Sequence, residues 1–152
     1  MVQESSSPLL FSASSFSASS KSPPKITKQK INHKEPIVEN LFEFLGLQSF
    51  DGKFLANKSF YEFFDKNDLN DFVDLKQKIE KEMGEVKEIE EILSTGIAMA
   101  YLETVMFEKF KDECEMCYHK AERALKKMVG SEEKEKIIVN KAKEWIKNWV
   151  RR

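Results

Sequence analysis

One octapeptide decides the fold of this chain: Thr95-Gly96-Ile97-Ala98-Met99-Ala100-Tyr101-Leu102. On a helix it is apolar on nearly every face, and a helix that is apolar all round is buried on several sides. Its small residues Gly96, Ala98 and Ala100 allow neighbouring helices to approach its backbone closely. The octapeptide therefore predicts a buried central helix, at about residues 85–110, with other helices packed around it.

Ahead of this helix, apolar residues recur at helical spacing and predict three shorter helices. The first spans about residues 37–48, and its inward stripe comprises Ile37, Val38, Leu41, Phe42, Leu45 and Leu47. Asn57 can cap a second helix and Asp68 a third, which ends near Gly84. The predicted inward residues of these two helices are Phe60, Phe63, Phe64, Phe72, Leu75 and Ile79.

Two longer helices are predicted after the central one. The fifth spans about residues 111–129 and ends at Gly130, and Ser131 caps the sixth. Their inward residues are Cys114, Cys117, Ala121, Leu125 and Met128 in the fifth, and Ile138, Ala142, Trp145, Ile146 and Trp149 in the sixth. No run of residues alternates as a half-buried strand would. The sequence predicts an all-α fold, a single compact bundle of five to six helices.

Composition divides the chain into a disordered arm at residues 1–36 and a helical domain at residues 37–152. The arm contains ten Ser, four Pro and five Lys, and such a segment buries too little apolar surface to offset its ordering entropy. The whole chain has a net charge of −1, so the domain that follows this basic arm is slightly acidic. That charge argues against a nucleic-acid partner, because nucleic-acid binders carry clustered Lys and Arg.

The chain shows neither a membrane-spanning segment nor a secretory signal. Its longest apolar stretch, Ile97 to Phe107, is interrupted by Glu103 and is too short to cross a bilayer. No basic region precedes the apolar patch at Leu9-Leu10-Phe11. Two Cys are too few for a disulfide framework. We therefore expect a cytoplasmic protein.

Candidate chemistry centres on Cys114-Glu-Met-Cys117-Tyr-His119. A structural zinc site needs four ligands, and on a helix His119 points away from the face that the two cysteines share. Paired carboxylates elsewhere lack the Glu-x-x-His spacing of a di-iron bundle, so they are interpreted as solvated faces. There is neither a serine elbow nor a Gly-rich phosphate loop. We expect no catalytic residue, metal or cofactor, and hence not an enzyme.

A turn separates the first two helices at Phe50-Asp51-Gly52-Lys53-Phe54. Asp-Gly supplies residues suited to a tight turn, since Gly tolerates positive φ. We expect Phe50 and Phe54 to fold back onto the core. The candidate binding surface lies beside them, and its residues are Phe50, Phe54 and Tyr61.

Three segments resemble the C-terminal helical module of proteins in which a VIT domain precedes a von Willebrand A domain. They are Gln48-Ser-Phe-Asp51-Gly52-Lys-Phe54, then Thr95-x-x-Ala98-x-Ala100-Tyr101-Leu102-Glu103, and finally Lys141-Ala142-Lys-Glu-Trp145-Ile146. A related C-terminal region of the vault poly(ADP-ribose) polymerase is implicated in binding the major vault protein. The resemblance covers about residues 37–150. It implies a docking module for a large assembly.

The expected function is therefore non-catalytic protein–protein interaction, with the major vault protein or another large assembly as partner. Two alternatives remain. One is a structural domain that associates with itself. The other is a thiol or metal sensor that uses Cys114 and Cys117.

Overall fold

A computed structural model describes residues 32–152, in which residues 33–152 form one folded unit. Within this part of the chain the unit contains six α-helices. They are α1 (Val38–Leu45), α2 (Lys58–Phe63), α3 (Val73–Met83), α4 (Ile89–Tyr101), α5 (Phe107–Val129) and α6 (Glu132–Arg151). A 3₁₀ turn, Leu69–Phe72, precedes α3, and a π-helical turn, Leu102–Met106, joins α4 to α5. The all-α bundle is confirmed; the arm predicted at residues 1–36 lies mostly outside the described residues.

The predicted helix ends are confirmed where a single side chain or glycine sets them. The Asn57 side chain accepts a hydrogen bond from the backbone N–H of Phe60. The Asp68 side chain accepts one from Asn70, and it caps the 3₁₀ turn ahead of α3 and not α3 itself. Gly130 ends α5 with a φ of 85°, and Ser131 Oγ accepts from the N–H of Lys134. Each cap satisfies a backbone N–H group that the first turn of its helix leaves unpaired.

Helix α4 lies at the centre of the bundle, as predicted. Every residue from 92 to 102 is buried, and α4 packs against both α5 and α6. A Cβ built on Gly96 would lie 2.7 Å from Ile138 Cγ2, so the close approach expected of the small residues occurs at Gly96.

The central helix, predicted at about residues 85–110, begins at Ile89. Residues 85–88 are not helical, and Glu88 takes a left-handed conformation at φ 56°, which a helix cannot continue. At the other end, the π-helical turn carries the helical path onward until Phe110 breaks it, with φ −128° and ψ 36°.

Aromatic rings fill the space between α1, α2, α4 and α6. Phe44 has its ring centroid 4.5 Å from Tyr101 and 5.0 Å from both Phe54 and Phe63. Trp149 is 2% exposed, and its Nε1 donates a 3.1 Å hydrogen bond to the carbonyl oxygen of Phe64. The C-terminal helix is therefore docked through its aromatic face.

The inward stripe predicted for the first helix is partly wrong. Helix α1 ends at Leu45, and it buries Asn40, Leu41 and Phe44. Phe42 is 65% exposed instead. The predicted stripe omitted Phe44, which the aromatic cluster draws inward and which thereby sets the rotation of the helix.

The folded unit begins a few residues before the predicted boundary at residue 37. His33 stacks on Phe63 with a centroid separation of 4.0 Å, and its backbone oxygen accepts a 2.5 Å hydrogen bond from Tyr101 Oη. Its Nε2 lies 3.1 Å from Glu43 Oε1. These contacts attach to the helices a residue that the sequence analysis assigned to the arm.

Residues 32–152 lack both a β-strand and a helix that could span a membrane. This range contains no β-strand, only an isolated bridge between Gln48 and Phe54. None of its helices combines the length and the apolar character that crossing a bilayer requires.

Candidate interaction surface

The turn between α1 and α2, residues 48–54, is built from its own hydrogen bonds. The backbone N–H of Ser49 donates to Lys53 O at 2.8 Å, and that of Gly52 donates to Ser49 O at 3.0 Å. The Asp51 carboxylate accepts from Ser49 Oγ and from the Lys53 N–H. The Ser49 hydrogen bond lowers the pKa of Asp51, because it stabilises the charged form.

Gln48 and Gly52 attach this turn to α5. Gln48 Nε2 donates to Cys117 O and to Gly52 O, both at 3.0 Å. Gly52 has a φ of 99°, and a Cβ placed on it would lie 2.9 Å from the carbonyl carbon of Lys120 and closer still to the carbonyl oxygen. The backbone of the turn therefore touches that of α5, and only glycine fits there.

The other end of the turn is attached to α4. The backbone N–H of Phe54 donates to Thr95 Oγ1 at 3.1 Å, and Ser94 Oγ donates to Phe54 O. Lys53 Nζ lies 3.2 Å from Glu91 Oε1. The turn is thus held by side chains of α4, by backbone carbonyl groups of α5 and by the buried ring of Phe54.

The three candidate binding residues have different environments. Phe54 is fully buried and Tyr61 is 8% exposed, so both belong to the core. Phe50 is 94% exposed. The expectation that Phe50 folds onto the core is wrong, because its side chain sits at the tip of the turn, which the contacts of Gln48 and Phe54 orient away from the core.

Four residues of the turn at 48–54 have distinct contacts with the rest of the fold. Gln48 bridges the turn and α5, Asp51 closes the turn, Gly52 permits the contact with α5, and Phe54 fills the core. Each of these residues has a structural role. Phe50 is the large apolar side chain that this scaffold holds out in solvent.

The two cysteines lie inside the bundle. Cys114 is fully buried and Cys117 is 8% exposed, and both thiols are free. Burial raises the pKa of Cys114 to about 11 and that of Cys117 to about 12, so both stay protonated near neutral pH. A protonated, buried thiol is a poor nucleophile.

His119 lies on the outer side of α5 and is separated from both thiols. Its side chain is 54% exposed, and Nδ1 lies 3.4 Å from Glu122 Oε1. It borders an open depression of about 570 Å³ with Met116 and four charged residues, and neither cysteine lines that depression. Within residues 32–152, no three His, Cys, Asp or Glu side chains converge as a metal site would require.

One buried acid escaped the sequence analysis, which interpreted the carboxylates as solvated faces. Glu135 is 3% exposed and lies on the same face of α6 as the buried Ile138, Val139 and Ala142. Glu135 precedes Ile138 by three residues and Val139 by four, so it shares their helix face. This spacing is the sequence signal that could have identified it.

Comparison with known proteins found no matching family model, no similar curated protein and no similar solved structure.

Proposed function

We propose that the folded unit is a non-catalytic protein–protein interaction module that docks through Phe50. The observation that carries this proposal is an aromatic side chain, 94% exposed, on a turn that Gln48, Gly52 and Phe54 hold against two helices. Aromatic residues dominate the binding energy of many interfaces. A side chain on a rigid turn also loses less entropy on binding than one on a mobile loop.

The partner that fits Phe50 is a protein with an apolar pocket wide enough for one aromatic ring. The resemblance to the VIT and von Willebrand A proteins makes the major vault protein the first partner to test, and other large cytoplasmic assemblies the next. The Ser-rich arm would then tether the module.

Binding of the full chain to purified major vault protein tests the proposal. Biolayer interferometry should give saturable binding, and Phe50→Ala should weaken it by about thirtyfold, as expected for an aromatic anchor worth roughly 2 kcal/mol. Phe42→Ala is the matched control, because Phe42 is also an exposed phenylalanine, at 65%, but lies on α1 outside the turn. Both variants should unfold at the wild-type temperature, since neither ring is buried.

Each outcome bears on a separate part of the proposal. Saturable binding that Phe50→Ala leaves unchanged would refute Phe50 as the anchor. A lack of binding would exclude the major vault protein and move the search to affinity capture with wild type and Phe50→Ala in parallel. Light scattering over a range of concentrations separates the self-association alternative, which a strict monomer excludes.

The thiol or metal sensor has less support. Both thiols are buried, and their raised pKa values disfavour the thiolate that sensing needs. Metal analysis of the purified chain would test this alternative directly.

A further inference from the structure

A cleft lies where the π-helical turn, α5 and α6 meet, and we call it the α5–α6 cleft. It has a volume of about 260 Å³, and Glu103, Tyr118, Glu122, Glu135, Asn140 and Lys143 contribute to its walls. This volume is below the usual range of pockets for drug-sized ligands. It suits one small polar group rather than a nucleotide or a large cofactor.

The π-helical turn places Glu103 in the wall of this cleft. Such turns are rare and occur frequently at functional sites. Lys143 Nζ lies 2.9 Å from Glu103 Oε2, and the two side chains form an ion pair. Burial, with the nearby carboxylates, raises the pKa of Tyr118, so its hydroxyl keeps its proton. Lys143 therefore neutralises the charge of Glu103, but the buried Oε2 of Glu103 accepts no hydrogen bond among the described residues.

Glu135 differs from Glu103 because it has no ion-pair partner among the described residues, in addition to an unsatisfied carboxylate oxygen. Its side chain lines the cleft, the residue is 3% exposed, and among the described residues no group donates a hydrogen bond to the buried Oε1. Leaving a buried acceptor unsatisfied is unfavourable, and such groups in folded proteins call for an explanation.

The charges that face Glu135 come from α5 and α6. Desolvation is the largest cause that raises the pKa of Glu135, and the negative charges of Glu122 and Glu132 raise it further. The positive charges of Lys126 and Lys136 lower it. Lys136 already pairs with Glu132 at 3.6 Å. The walls of the cleft carry three carboxylates, from Glu103, Glu122 and Glu135, against the two ammonium groups of Lys136 and Lys143.

We propose that the α5–α6 cleft binds a cationic nitrogen group, a primary ammonium or a guanidinium, which donates a hydrogen bond to the carboxylate of Glu135. Such a group supplies both the missing donor and the opposite charge, and charge-assisted hydrogen bonds are the stronger ones. An anion would face an excess of carboxylates. A metal ion has no set of three ligands in residues 32–152. The site uses none of the residues that present Phe50.

Titration of the ¹⁵N-labelled full chain with n-butylammonium and n-butylguanidinium tests the proposal by NMR. Both cations should give saturable amide shifts at residues around the cleft, such as Tyr118 and Val139. The neutral isostere n-butanol should give none. Glu135→Gln should weaken binding about tenfold or more, as expected from the loss of a charge-assisted hydrogen bond. Glu133→Gln is the matched control, because Glu133 is exposed on the same helix.

Four results would overturn the proposal: no saturable shift with either cation, equal shifts with butanol, equal affinity in Glu135→Gln, or equal weakening in Glu133→Gln. Should Glu135→Gln unfold more readily than the wild type, Glu122→Gln provides the test, since its side chain is 31% exposed and its replacement removes one charge from the cleft. An unchanged affinity in Glu122→Gln would then refute the proposal.

Three further probes decide the source of the cationic group. Capped Ala-Arg-Ala and Ala-Lys-Ala peptides represent a basic side chain of a protein, and spermidine represents a free polyamine. Tighter binding of a peptide than of spermidine would identify a protein ligand, and the reverse order would identify a small amine. Absence of binding by all three would count against the site.

Discussion

Replacement of Gly52 by alanine tests whether the turn at residues 48–54 is held against α5. Two separate penalties apply. An L-residue at a φ of 99° is strained, which costs roughly 1–2 kcal/mol by analogy with left-handed residues. The new methyl group would also meet the Lys120 carbonyl, with the carbon only 2.9 Å away, and this is a backbone group that cannot rotate aside. Overpacking of this kind costs roughly 1–3 kcal/mol.

The sum predicts that Gly52→Ala lowers the free energy of unfolding by about 2–5 kcal/mol. Gly130→Ala is the matched control, because Gly130 has a φ of 85° and a Cβ there would meet nothing within 4 Å. It should cost roughly 1–2 kcal/mol, from strain alone. The difference between the two variants isolates the contact between the turn and α5.

Urea unfolding followed by the fluorescence of Trp145 and Trp149 measures both free energies, and circular dichroism checks that the transitions coincide. In thermal unfolding, each kcal/mol corresponds to about 4 °C for a domain of this size. If Gly52→Ala is no more destabilising than Gly130→Ala, the turn does not rest on α5, and the rigid presentation of Phe50 loses its basis.

Two further predictions concern the buried helices. Gly96→Ala should lower the free energy of unfolding by about 1–3 kcal/mol, because its Cβ would lie 2.7 Å from Ile138 Cγ2, and a double-mutant cycle with Ile138→Ala should recover part of this loss. In the folded protein the pKa of Cys114 is about 11 and that of Cys117 is about 12, whereas a thiol in the unfolded chain has a pKa near 9.0. Stability should therefore fall as pH rises above about 9, and urea unfolding at pH 8 and pH 10 should show a smaller fall when both are alanine.

The residues that the sequence analysis placed correctly act over short stretches of chain. A cap such as Asn57 or Ser131 satisfies a backbone group three residues away, so its effect is visible in a short stretch of sequence. The burial of the octapeptide at residues 95–102 could be predicted without knowing which helix face points inward, because every one of its faces is buried.

The errors concern choices between neighbouring residues of similar chemistry. Phe42 and Phe44 both lie on α1, yet only Phe44 enters the aromatic cluster. Phe50 and Phe54 flank one turn, yet only Phe54 is buried. Hydrophobicity does not distinguish the members of either pair. The choice depends on Tyr101, Thr95 and Cys117, which lie far along the chain.

The sequence by itself therefore determined the helical class, the caps and the burial of the central helix, since these follow from backbone hydrogen bonding and from composition over a few turns. Only the tertiary structure decided that Phe50 faces solvent and that Glu135 is enclosed without a donor. Both outcomes depend on which surfaces distant helices bring together. Exposure and hydrogen-bond satisfaction are properties of that packed environment and not of the residue alone.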